Sequence, residues 1–101
     1  MKSLIRYKTK PESAGDNQRF VEKVYEELTA RDPGGVHYAT LRLEDGLTFM
    51  HLFITDSDEA ANTLGDIAAF AEFLRDLPQR CAELPIAQPI TVVGSYRMFG
   101  G

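Results

Sequence analysis

His51 stands in the run LTFMHLF, Leu47 to Phe53, where almost every neighbour is apolar. Imidazole titrates near neutrality, so a histidine facing a cavity can take a proton from a phenol or an acidic C–H as a general base. A histidine enclosed in a core needs a hydrogen-bond partner instead. Its direction decides between these roles, and the local sequence bears on that direction. In ATLRLEDGLTFMHLF, Ala39 to Phe53, two strand-like runs flank Asp45-Gly46, a dipeptide suited to the positive backbone angles of a tight hairpin turn. A two-residue turn there sets Glu44 opposite Leu47, Arg42 opposite Phe49, Thr40 opposite His51 and Tyr38 opposite Phe53.

Directly paired residues share a sheet face, so Tyr38, Thr40, Arg42, Phe49, His51 and Phe53 form one set. His37, Ala39, Leu41, Leu43, Thr48, Met50, Leu52 and Ile54 form the other. The second set is small and aliphatic and is expected to pack against helices. The first, with its rings, hydroxyl, guanidinium and imidazole, is expected on a face without helices. In that setting His51 is the candidate base, Tyr38 and Thr40 are hydrogen-bonding groups, and Arg42 would hold an anionic oxygen. Phe49 and Phe53 would stack on an aromatic ligand. Tyr7, on a strand whose register no turn fixes, is a further candidate for ligand binding. The simpler roles are a structural His51 bonded to Thr40, an Arg42 paired with a surface acid, and rings that only fill a subunit interface. A metal held by His37 and His51 is not expected, because the register sends the two rings to opposite faces.

The elements that position these residues follow from periodicity. Ser3 to Lys10 reads as a first strand, ended by Pro11. From Asp16 to Arg31, Phe20, Val21, Val24, Tyr25 and Leu28 recur at spacings of three and four, which predicts an amphipathic helix stopped by RDPGG. After the hairpin, DSDEAANTLGD reads as a polar loop with one helical turn. Ile67, Phe70, Ala71, Leu74 and Leu77 predict a second amphipathic helix, kinked or restarted at Pro78 and ending near Leu84-Pro85, with Cys81 a half-buried helix cysteine. Pro89 to Phe99, PITVVGSYRMF, reads as the fourth strand, with Gly94 at a bulge. The order strand, helix, strand, strand, helix, strand is the ferredoxin-like βαββαβ arrangement, an α+β fold with a four-stranded antiparallel sheet and two helices on one face.

The chain has 101 residues, enough for one domain spanning 1–101 with a small core, and a formal charge of −4. That charge argues against nucleic acid as a partner, since phosphate binding rests on clustered Lys and Arg. An RNA-binding use of the open sheet would also want a basic third strand, which LTFMHLF is not. A single cysteine excludes an intrachain disulfide. MKSLIRYK lacks the apolar stretch of a signal peptide, and no segment has the length to span a bilayer, so a soluble cytoplasmic protein is expected.

An aromatic face without helices asks to be covered, and a second copy related by a twofold axis is the simplest cover. IRYKTKPE, the hairpin, the two helices in this order and VVGSYRMF together resemble the dimeric α/β barrel superfamily, the group that includes the antibiotic-biosynthesis monooxygenase-like proteins. The resemblance implies a homodimer through the helix-free sheet face, with a cavity on that face, and a cofactor-independent attack of dioxygen on a small aromatic compound. A tryptophan and a first-strand asparagine recur in the active sites of both the oxygenases and the haem-degrading members of this group, and neither is found here. Haem degradation is therefore not expected, and the oxygenase role lacks that residue-level support. The oxygenase resemblance implies no cofactor, and with one cysteine and no clustered acids no metal is expected. The alternative to an enzyme is a non-catalytic homodimeric module that binds a small ligand or serves only in interaction.

Overall fold

The computed structural model describes residues 1–98. The strands are β1 (Lys2–Thr9), β2 (Val36–Arg42), β3 (Thr48–Thr55) and β4 (Cys81–Pro89). The helices are α1 (Ala14–Arg31), α2 (Asp58–Gly65), α3 (Ala68–Arg75) and the single turn α4 (Leu77–Arg80), and a 3-10 turn at Pro11–Ser13 leads into α1. The strands form one antiparallel sheet in the order β2-β3-β1-β4. This is the expected ferredoxin-like α+β arrangement.

The hairpin register is the one read from the sequence: Tyr38 pairs with Phe53, Thr40 with His51 and Arg42 with Phe49. The connection differs in detail, because ladder pairing stops at Arg42–Phe49 and the turn bond runs from the Gly46 amide to the Leu43 carbonyl. Gly46 takes φ 73°, a backbone angle that favours glycine. Asp45 locks the turn, accepting from the Leu47 and Thr48 amides and from the Thr48 hydroxyl. These bonds hold its carboxyl down at about 2.

The face assignment is reversed. Phe49, His51 and Phe53 of β3 turn toward the helices together with Tyr7 of β1, and all four are buried. They pack with Val21 and Val24 of α1 and with Phe73 and Leu77, while Ile67 and Leu64 extend the core under Phe53. The aliphatic set of Leu4, Met50, Leu52 and Ile54 lines the helix-free face instead. Strand β1 supplies the physical reason. Its pairing with β3 aligns Tyr7 with Phe49 and Ile5 with His51, which leaves Lys2, Arg6 and Lys8 on the side of Met50 and Leu52. Turning the aliphatic set inward would bury three unpaired cations, a far larger cost than enclosing one imidazole with partners.

Two elements differ in extent from expectation. DSDEAANTLGD forms the two-turn helix α2, capped by the Ser57 hydroxyl, which accepts from the Ala60 amide. The second long helix stops early. It breaks into α3 and α4 around Asp76, and the chain enters β4 at Cys81, a buried strand residue rather than a helical one. Strand β4 therefore precedes the predicted one. Ile90 to Met98 is irregular and shares with Ala39, Leu52 and Ile54 a groove of about 660 Å³ on the helix-free face. Gly94 lies in that segment, so the expected bulge is not there; the β1–β4 ladder shifts register between Arg6 and Lys8 and again between Lys8 and Thr9. Phe99, the last residue of the predicted fourth strand, lies outside the described residues.

Candidate functional site

Polar groups from five elements, α1, α4, β1, β2 and β3, meet in one chain between the sheet and the helices. Arg80, at the end of α4, donates from Nε to Asn17 Oδ1 at 3.0 Å, and Asn17 Nδ2 donates to Tyr7 Oη at 2.8 Å. Tyr7 Oη lies 2.8 Å from His51 Nε2. On the other side of the ring, His51 Nδ1 lies 2.7 Å from Tyr38 Oη and 3.2 Å from Thr40 Oγ1. Thr40 Oγ1 in turn meets Tyr25 Oη at 2.8 Å.

Donor arithmetic gives this chain a direction. Tyr7 Oη already accepts from Asn17, so its own proton is satisfied by donating to His51 Nε2, and the Nδ1–H of the neutral imidazole then faces Tyr38 and Thr40. The opposite tautomer would leave the Tyr7 proton enclosed without an acceptor, at a cost of about 1–3 kcal/mol. Burial pulls the His51 pKa down to about 4, so the ring is neutral at physiological pH. Burial likewise raises Tyr7, Tyr25 and Tyr38 above the ordinary phenol value, which keeps them protonated; for Tyr7 the bond from Asn17 offsets part of the rise.

The imidazole is packed among rings, with Tyr7 stacked 5.3 Å away and Phe73 at 5.5 Å between centroids. Phe49 stacks on the far side of Tyr7, and Phe53 meets Tyr38 edge-on. His51 is 2% exposed. The outer end of the chain reaches a cleft of about 480 Å³ between α1 and the edge strand β2, lined by Tyr25, Leu28, Pro33, Val36 and Tyr38 among others.

Six of the residues singled out in the sequence thus meet here: Tyr7, Tyr38, Thr40, Phe49, His51 and Phe53. They do so on the helix-covered face, not on the open one. Arg42 does not join them. Its guanidinium donates to the Gly46 carbonyl and to Gln18 at the exposed hairpin end. The pairing of His37 with Asp56 is also remote, on the opposite face from His51.

Asn17, Tyr25 and Arg80 were not singled out. Asn17 was legible, since it lies three and four residues before Phe20 and Val21, in phase with the buried stripe of α1. Arg80 carried no such signal, because the periodicity after Pro78 suggested a helix running on past it. Arg80 is 6% exposed, and no Asp or Glu among the described residues forms an ion pair with it. The Phe73 carbonyl accepts from Nη2, and the rings of Phe20 and Phe73 lie 4.5 and 5.5 Å from Cζ. Nη1 is buried and makes no hydrogen bond.

No family profile matches the chain, and no curated protein resembles it in sequence. Solved structures do resemble it in shape. One is an antibiotic biosynthesis monooxygenase, at TM-score 0.74 and 12% identity, over 92% of this chain and 98% of that one. A protein of Bacteroides thetaiotaomicron provisionally given the same name matches at TM-score 0.78 and 15% identity, over 92% and 89% of the two chains. Another so named, from Caulobacter crescentus, matches at TM-score 0.71 and 17% identity, over 92% and 89%. The chain therefore shares the fold of these solved structures, a four-stranded antiparallel sheet with helices on one face. Identities this low speak to the fold alone. Among the described residues no helix is long and apolar enough to cross a membrane.

Proposed function

We propose that this chain is a small-molecule-binding protein with cofactor-independent monooxygenase-like activity toward a small aromatic compound, and that His51 is the base. One observation carries the reading: a neutral imidazole bonded on both nitrogens to phenolic hydroxyls, in a core that also encloses Asn17 and Arg80. A domain of this size gains stability from an apolar core, and a chain of seven linked polar side chains, four of them buried, is a departure of the kind found at functional sites. Tyr38 bridges His51 and the cleft, so its hydroxyl holds the place that a substrate hydroxyl would take after the ring swings outward. Because Nδ1 carries the proton in the resting ring, His51 would receive the substrate proton only in its other tautomer, with Nδ1 free and Nε2–H turned to Tyr7, at the cost of about 1–3 kcal/mol already given for that tautomer. The resulting carbanion would reduce dioxygen, keep one oxygen atom as a carbonyl and release the other with two hydrogens as water. A base near 4 facing a phenol near 10 makes free proton transfer uphill by about 8 kcal/mol, so the transfer has to be coupled to the reaction with oxygen or to a nearby charge that stabilises the anion.

The second reading, a non-catalytic ligand-binding or interaction module, draws on the packing: rings enclose His51 and leave it almost wholly buried. In both readings the homodimer forms through the helix-free sheet face, a proposal supported by the exposed Leu41, Leu84 and Ile86 on that side. Oxygen uptake during incubation with a panel of phenolic and quinone-like compounds separates the two. The enzyme reading expects uptake that is proportional to product and lost in His51→Gln. Saturable ligand binding with no oxygen consumed across the panel would establish the module instead.

A further inference from the structure

Arg80 has a feature that the phenol–imidazole chain does not use. Its Nε and Nη2 are satisfied by Asn17 and by the Phe73 carbonyl, but Nη1 is enclosed and unpartnered. A guanidinium stays charged even when burial disfavours the charge, and its fork of donors matches an oxyanion in one plane. The acids nearest to it, Asp16 and Asp76, act only at longer range, and Asp16 is engaged by Arg19. Flanking rings exclude water around the unused donor, where a charge-assisted bond gains strength. Of the two flanking rings, the half-buried Phe20 lies nearer the guanidinium carbon, at 4.5 Å against 5.5 Å for Phe73.

We propose that Arg80, shielded by Phe20, is a binding point for the anionic oxygen of a small planar aromatic acid, a carboxylate or an ionised phenol. Arg80 takes the role that the sequence suggested for Arg42. It lies in the hydrogen-bonded chain that leads through Asn17 and Tyr7 to His51, so an anion held there would stabilise a protonated imidazole. The site rests on the geometry of Arg80 and not on oxygen chemistry, and its test reads binding alone.

The test is a titration of the full chain carrying nitrogen-15 arginine, following the Arg80 side-chain resonances at constant ionic strength. The probes are benzoate, 4-nitrophenolate and, as the neutral control, benzamide. Benzoate or 4-nitrophenolate should shift Arg80 saturably while benzamide does not, and the active probe tells carboxylate from phenolate. Arg80→Lys should weaken that binding by about tenfold or more, because a point charge replaces the planar fork. Phe20→Ala should speed association. Absence of a saturable Arg80 shift with either anion would overturn the proposal, as would equal binding of benzamide or undiminished benzoate binding by a folded Arg80→Gln. Should Arg80→Gln fail to fold, the wild-type titration decides alone. Binding without oxygen uptake would leave the anion site standing and remove only the monooxygenase reading.

Discussion

Tyr7 Oη and His51 Nε2 lie 2.8 Å apart in the core, with Asn17 already donating to the same hydroxyl. That pair fixes the tautomer of the histidine, and it places the ring on the helix-covered side of the sheet. It also makes His51 part of the packing, with consequences for stability that adjacent residues do not share.

His51→Ala should destabilise the protein by about 3–5 kcal/mol, since it opens a cavity among rings and leaves the Tyr7 and Tyr38 hydroxyls short of a partner. Leu52→Ala, on the opposite face and only partly buried, should cost about 1–2 kcal/mol. Denaturant unfolding of both variants at equal concentration checks the contrast. A larger loss in Leu52→Ala would mean that the aliphatic set faces the helices after all.

Stability should also depend on pH through His51. Its folded pKa of about 4 lies below the ordinary 6.5, so between these values the unfolded chain binds the proton and the folded one does not. The contribution is therefore complete above about pH 6.5 and is lost as pH falls toward 4, to a total of about 3 kcal/mol. Asp45 and Glu27, whose carboxyls are held down by hydrogen bonds, add losses only below the ordinary carboxylate range. In His51→Gln the slope between pH 6.5 and about 5 should flatten, as measured by urea midpoints across that interval.

Much of the fold was legible because strong local signals agreed. The stripe of α1 and the Asp45-Gly46 hairpin each fixed their own register, and the order of elements then left few topologies. Alternation sorted Tyr38, Thr40, Phe49, His51 and Phe53 correctly into one set, yet alternation is blind to which side the set faces. That choice belonged to β1, whose charges at Lys2, Arg6 and Lys8 had to stay out, and no turn ties β1 to β3 in sequence. The site was legible to the same depth. Residues on the hairpin were found, while Arg80 was hidden by the short break at Asp76 that ends α3 and starts β4 early.

The chain from Asn17 to His51 should behave as a unit. Asn17→Ala and Tyr7→Phe should each cost about 1–3 kcal/mol by stranding a buried polar neighbour. The double variant should cost less than their sum by about 0.5–2 kcal/mol, because the second change removes a group the first had already orphaned. A double-mutant cycle in urea measures the coupling, and strict additivity would break the chain at Tyr7.

Arg42→Ala should leave ligand binding and any turnover unchanged, with a stability loss of about 1 kcal/mol or less, since its bonds lie at the exposed hairpin end. Titrating this variant with benzoate alongside the wild type checks it. A fall in affinity there would return the anion to the hairpin and away from Arg80.

The neutral, doubly bonded imidazole is tested most directly by nitrogen-15 NMR of the His51 side chain between pH 4 and 8. The proton should sit on Nδ1, Nε2 should be unprotonated, and the ring should not titrate until the pH approaches about 4. A His51 that titrates near 6.5, or carries its proton on Nε2 at neutral pH, would rule out the enclosed neutral imidazole bonded through Tyr7 and Tyr38.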